Sequence, residues 1–337
     1  MKLEAAENSS TAVVDVASVS VSFPTRDGME EVVHSISFSI APAERVGLVG
    51  ESGSGKSLTA RAIMKLIPKP GIMTSGTISI QGQDADSLER KTNWRGSEIS
   101  IVSQDPLTCL NPLVKIGIQI KEMLTYHKGL SKADADRESI ALLKSVGLPN
   151  PERTMKQYPN SLSGGMRQRV AIAIAISCKP KLMIADEPTT SLDVTIQSQV
   201  LDLMESISQK DQMAVLLISH DLAVVANFCS RIIVMYNGRI VESGLVADIV
   251  NYPQHPYTQA LIASVPNLYD TERERLQTIP GSPPIAGRIN PGCSFAPRCT
   301  RSTEICMTVA PVLTLGSNSS QNYACHNPIS YEARDAS

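Results

Sequence analysis

The sequence predicts an α/β fold: a large domain on a mostly parallel core sheet, an antiparallel β region at its start, and a small Cys-containing C-terminal unit. Three observations carry this. Five short apolar runs, at 45–49, 99–102, 182–185, 215–219 and 232–235, have the length and uniform hydrophobicity of strands buried on both faces. Between them lie stretches of helical apolar spacing, at 56–67, 131–146, 162–177 and 195–208, and strand–helix alternation builds parallel sheets. From about residue 252 the texture changes: Pro253, Pro256, Pro266, Pro280 and Pro291 crowd a stretch that also holds four of the seven cysteines. The boundary is placed near 260, giving expected units 1–260 and 261–337. A length of 337 residues suits one large domain with an appendage.

Taken in order, the β-branched segments 12–23 and 33–40 read as the antiparallel region. Strand 45–49 leads into Gly50-Glu51-Ser52-Gly53-Ser54-Gly55-Lys56-Ser57, followed by Leu58 and a helix. This is a complete phosphate loop in its strand–loop–helix context. Its glycines let backbone N–H groups converge on an anion, and the helix start adds positive potential. Lys56 is expected to reach the β- and γ-phosphates and Ser57 to ligate Mg²⁺. Strand 182–185 delivers Asp186 and Glu187 to the carboxyl end of the sheet, where open α/β sheets place ligands. Asp186 is expected at Mg²⁺ and Glu187 at the attacking water. His220 ends the next apolar strand and should emerge on the same edge.

Composition narrows the partners. With 31 basic and 33 acidic residues the net charge is −2, which argues against a nucleic-acid backbone binder. One Trp, eight Tyr and four Phe are too few for single-strand stacking platforms. The first residues lack a signal-peptide pattern, and no apolar stretch reaches membrane-spanning length. Reduced thiols or metal ligands are therefore expected rather than disulfides.

The segment Leu162-Ser163-Gly164-Gly165-Met166-Arg167-Gln168-Arg169 resembles the signature of ATP-binding-cassette (ABC) ATPases. That resemblance implies an ABC-type nucleotide-binding domain with a helical signature subdomain. It also implies that Ser163, Gly164, Gly165 and Gln168 meet the ATP held by a partner subunit. Gln104 resembles the glutamine that senses Mg²⁺, completing a metal set of Ser57, Gln104 and Asp186. Ser191-Leu192-Asp193 resembles the dimer-interface loop, and His220 the switch histidine at the γ-phosphate. Phe23 is the candidate for stacking on adenine. Val102-Ser103 departs from the Ile-Phe pair common before that glutamine, a difference that touches packing and not catalysis.

Three further segments, 104–112, 185–195 and 255–261, look like the dipeptide/oligopeptide importer branch, and the chain resembles the D-type ATPase subunits of those permeases. The resemblance implies a prokaryotic ATPase at the cytoplasmic face of the inner or plasma membrane, beneath two transmembrane permease subunits. It pairs with a second ABC ATPase subunit, as a heterodimer or a homodimer, and an extracytoplasmic binding protein supplies cargo. Nickel complexes, opines or glutathione travel through kindred importers. Against a soluble role in DNA repair, translation or cluster assembly stand the lack of room for a coiled coil between Lys56 and Ser163 and the single phosphate loop. Intact Glu187 and His220 argue against a non-catalytic cassette.

Cys293, Cys299, Cys306 and Cys325 are separated by five, six and eighteen residues. The close-spaced pairs of zinc knuckles are absent, and four thiolates are the ligand set of a [4Fe–4S] cluster. Relatives in the importer branch carry a similar cysteine set, read as iron–sulfur. A [4Fe–4S] cluster, zinc and unmetallated thiols are the three readings held open. Cys109, Cys178 and Cys229 are expected to be small core residues.

Overall fold

The computed structural model describes residues 12–90, 93–190, 192–265, 279–282, 284, 291–316 and 320–331. Its strands are β1 (Val14–Thr25), β2 (Gly28–Ile40), β3 (Arg45–Val49), β4 (Ile72–Ile80), β5 (Gln83–Asp84), β6 (Ile99–Val102), β7 (Leu182–Asp186), β8 (Ala214–Ser219), β9 (Arg231–Tyr236), β10 (Arg239–Leu245), β11 (Thr314–Leu315) and β12 (Asn322–Tyr323). Strands β2-β1-β4-β5 form an antiparallel sheet, and the rest form one sheet in the order β11-β12-β10-β9-β3-β8-β7-β6. The five strands from β9 to β6 run parallel. The expected parallel core and antiparallel flank are both present.

Why the apolar runs become strands is visible in their alternation. Met183, Ala185, Val215, Leu217, Ile232 and Val234 pack into one hydrophobic cluster. Leu182, Ile184, Leu216, Ile218 and Ile233 pack into the other, on the opposite face. A strand covered on both sides needs apolar residues at every position, and each such side chain contributes on the order of 1.5–3 kcal/mol of burial. Gly47 falls on the first face because the helix Leu222–Phe228 passes so close that any Cβ there would overlap Val225.

Helices Ile116–Lys128, Lys132–Ser145 and Gly164–Ile176 bury Ile120, Leu124, Leu143, Val170 and Ile172 in the first cluster. Their starts carry side-chain caps where the sequence supplies them: the Ser131 hydroxyl accepts from the Asp134 N–H at 3.2 Å and that of Ser163 from the Met166 N–H at 3.3 Å.

Three local expectations need correction. The first helix ends at Ile63 rather than near 67, because Lys65 turns into the left-handed region at φ 52°. Five strands, β4, β5, β10, β11 and β12, have no counterpart in the sequence reading; β4 is exposed over most of its length and lacks an apolar run. Cys109 is exposed at the end of the short helix Pro106–Cys109 rather than in the core, Cys178 is half-buried, and Cys229 is buried as expected. The residues after 260 also join the main sheet, since β12 pairs antiparallel with β10. No helix among the described residues is long and apolar enough to cross a membrane.

Candidate active site

Register puts the functional loops side by side. Val102 pairs with Ala185, Ala185 with Leu217, and Leu217 with Gly47. The carboxyl ends of β6, β7, β8 and β3 are therefore level, and the residues that follow them emerge along one edge. Gly50 leaves β3 with φ 153°, and a Cβ there would overlap the carbonyl oxygen of Met235. Gly55 caps the helix Lys56–Ile63 at φ 99°, a left-handed conformation that glycine adopts without steric cost.

A cleft of about 780 Å³ opens there, lined by Val32, every residue from Gly50 to Leu58, Gln104, Glu187, Thr190, His220 and Leu261. Lys56 is buried, and its ammonium donates to the carbonyls of Gly50 at 2.7 Å and Glu51 at 2.9 Å and to Ser54 Oγ at 3.4 Å. Burial lowers its pKa, while Glu187, Asp186 and Glu51 pull the other way. Ser57 Oγ donates to Asp186 Oδ1 at 2.9 Å. Burial raises the Asp186 pKa, and that Ser57 bond is the largest opposing effect.

Glu187 lies at the centre. Its carboxylate accepts from Gln104 Nε2 at 3.0 Å and Thr190 Oγ1 at 3.0 Å, and stands 3.1 Å from His220 Nδ1. Its backbone sits at φ 49°, sterically costly for a residue with a side chain, yet its N–H continues the sheet by donating to the Ile218 carbonyl at 2.9 Å. The ladder thus holds a strained residue in place, a pattern found at functional sites. Hydroxyl, carboxylate and amide oxygens at Ser57, Asp186 and Gln104 are the hard donors that Mg²⁺ prefers.

Other candidates lie elsewhere. Phe23 is half-buried near the end of β1, its ring against Gly71, and does not line the cleft; Val32 of the paired strand does. Ser163 is exposed and Gly164 and Gly165 half-buried at their helix start, away from the cleft lining. Gln168 is buried in that helix, and its amide has no hydrogen-bond partner among the described residues. Asp193 caps the helix Val194–Asp211 and Leu192 packs on the core, while Ser191 lies outside the described residues. Sequence reasoning missed Thr190 and Val32; Thr190 lay three residues past Glu187, within reach of its carboxylate.

The four late cysteines line one small cavity with His326 and Asn327. Burial raises the thiol pKa of Cys293 and Cys299, and that of Cys325 to about 11. Cys299 Sγ accepts from the Arg301 N–H at 3.4 Å, and Cys306 Sγ from Asn327 Nδ2 at 3.4 Å. Gathered as they are, these thiols do not close on a single ion: no group of three or more such ligands among the described residues could hold one.

The fold and the cleft together define a phosphate-loop ATPase domain of the cassette type. Comparison with known proteins extends this. Residues 33–190 match the ABC transporter family model, and residues 241–306 match the oligopeptide/dipeptide transporter C-terminal region. The chain is 44% identical over 309 residues to the oligopeptide transport ATP-binding protein OppD of Escherichia coli (strain K12), covering 91% of each chain. It is 48% identical over 284 residues to the oligopeptide transport ATP-binding protein AppD of Bacillus subtilis (strain 168), covering 83% of this chain and 86% of that one. Among solved structures, the dimeric post-hydrolysis state of the cassette MJ0796 bound to ADP and Pi superposes with a TM-score of 0.62 at 26% identity, covering 69% of this chain and 98% of that one. The chain belongs to the ABC transporter family of ATP-hydrolysing proteins.

Proposed function

We propose that this chain is the ATP-hydrolysing subunit of an importer of di- or oligopeptides, attached to the cytoplasmic face of the membrane through two permease subunits. The observation that carries the reading is the Glu187 carboxylate, fixed by Gln104 and Thr190 beside His220 at the mouth of the phosphate-loop cleft. The peptide assignment draws support from relatives whose names specify oligopeptide transport and from the matching C-terminal region.

Phosphoryl transfer needs positioning and charge neutralisation more than covalent help. The loop amides and Lys56 cradle the phosphates of ATP, displacing the lysine from its contacts with loop carbonyls. Ser57, Asp186 and Gln104 would hold Mg²⁺, which supplies charge neutralisation at the β- and γ-phosphates when bound. Glu187 accepts a proton from the attacking water, and His220 bonds the γ-phosphate. Phe23 is assigned to the adenine, although its ring packs on Gly71 outside the cleft lining.

Ser163, Gly164, Gly165 and Gln168 serve the ATP held by a second ABC subunit, identical or related. That they do not line this chain's own cleft favours a sandwich in which each subunit completes the other's site, with the Ser191–Asp193 loop at the seam. Hydrolysis then depends on dimer closure, which the Gln104 segment transmits to the permease pair. An extracytoplasmic binding protein delivers the cargo.

The cysteine unit at Cys293, Cys299, Cys306 and Cys325 is assigned a [4Fe–4S] cluster. Four sulfurs on one cavity and the hydrogen-bond donors at Cys299 and Cys306 support it. A cluster takes its ligands at wider spacing than one ion does, so zinc is the weaker reading for this arrangement.

Purification of the tagged chain from a detergent extract tests the assignment. Two polytopic membrane subunits should accompany it in fixed stoichiometry. Recovery of the chain with no membrane partner would favour a soluble ATPase instead.

A further inference from the structure

The second residue of the phosphate loop is an acid, an awkward neighbour for ATP phosphates. The carboxylate of Glu51 is met by a guanidinium from far along the chain: Arg298 donates from Nη1 to Oε2 at 2.6 Å and from Nη2 to Oε1 at 3.1 Å. This paired geometry is the strong, orienting form of the Arg–carboxylate contact. The Arg298 side chain is only 6% exposed, so solvent screens the pair little.

Arg298 is itself fixed on several sides. Its Nε donates to the Pro280 carbonyl at 2.8 Å and Nη1 to Tyr236 Oη at 3.3 Å. Glu51 is held through its backbone as well, for its N–H donates to Tyr257 Oη at 2.8 Å and its carbonyl accepts from Lys56 at 2.9 Å. One residue of the loop therefore meets the cleft lysine on one side and the C-terminal guanidinium on the other. Arg298 closes the turn Ala296–Arg298, directly before Cys299.

We propose that Arg298 is a positioning residue for ATP: it cancels the Glu51 charge and fixes the loop, so that the cleft accepts a polyanion. The inference rests on the reading that this loop binds ATP phosphates. Without the guanidinium, a carboxylate would stand unpaired on the loop that must take a nucleotide triphosphate, and like charges repel most where burial limits screening.

The test titrates a fluorescent ATP analogue with Mg²⁺ into the full-length chain. Arg298→Ala should weaken binding by about tenfold, a loss of one interaction's worth of affinity. Adding Glu51→Gln to it should restore binding to within about threefold of wild type, because the charge to be cancelled is gone. Glu51→Gln alone should bind at least as tightly as wild type, an arm that stands even if Arg298→Ala does not fold. Binding by Arg298→Ala within about twofold of wild type would overturn the proposal. So would a double variant as weak as Arg298→Ala, or tenfold weaker binding by Glu51→Gln. Failure of the wild type itself to bind ATP would instead count against the phosphate-loop reading.

Discussion

Glu187→Gln isolates the chemical step. The substitution keeps the size and shape of the side chain but exchanges one carboxylate oxygen for an amide. In the wild type the carboxylate accepts from Gln104 Nε2 and Thr190 Oγ1, both at 3.0 Å, and faces His220 Nδ1 at 3.1 Å. The glutamine can keep one acceptor toward these groups, so the fold should lose no more than about 1 kcal/mol. The water, by contrast, loses its base altogether. Removing a general base costs about 10²–10⁴ in rate, or roughly 3–5 kcal/mol of barrier. Phosphate release by the variant should fall at least about a hundredfold while ATP affinity stays within about threefold of wild type. Release within about tenfold of wild type would refute the base assignment. Loss of ATP binding along with turnover would show Glu187 to be a binding group.

One further outcome follows from burial and another from the cysteine unit. His255 is buried, accepts the Tyr257 N–H at Nδ1 at 3.0 Å, and burial pushes its pKa down to about 3. The unfolded chain takes up a proton near its ordinary 6.5 and the folded one does not, so stability is full above that pH and falls as pH drops from 6.5 toward 3. Glu242, whose pKa burial raises, works in the opposite direction. Comparing melting of the wild type with His255→Gln at pH 7 and pH 5 removes the Glu242 contribution, which both share; the wild type should lose more stability. An equal loss would contradict a neutral His255. For the cysteine unit, anaerobically purified protein should be brown, with about four irons per chain, and Cys325→Ser should lower the iron content. Stoichiometric zinc in place of iron would rule the cluster out.

What the sequence disclosed tracks how local each signal is. The buried strands were legible because covering both faces demands unbroken apolar runs, as in Leu182–Ala185. The phosphate loop was legible because its backbone course requires glycine at fixed positions such as Gly50 and Gly55. Strand β4 was not, since only its last residues are buried. Nor was the pairing of β10 with β12, a two-residue strand that carries no periodicity and depends on a distant partner. The Arg298–Glu51 pair spans 247 positions, and nothing in the local pattern of either residue announces the other. Tyr257 belonged to a segment read only as a family resemblance, and its hydroxyl on the Glu51 N–H emerges from packing alone.

ATP hydrolysed in this cleft should drive peptides across a membrane. Uptake of a labelled peptide is measured in vesicles that carry this chain with the proposed permease subunits and binding protein. ATP supplied on the side of this chain should produce peptide accumulation that falls to background in Glu187→Gln. Accumulation unaffected by that substitution, or ATP turnover with no peptide moved, would show that this cleft does not power peptide import.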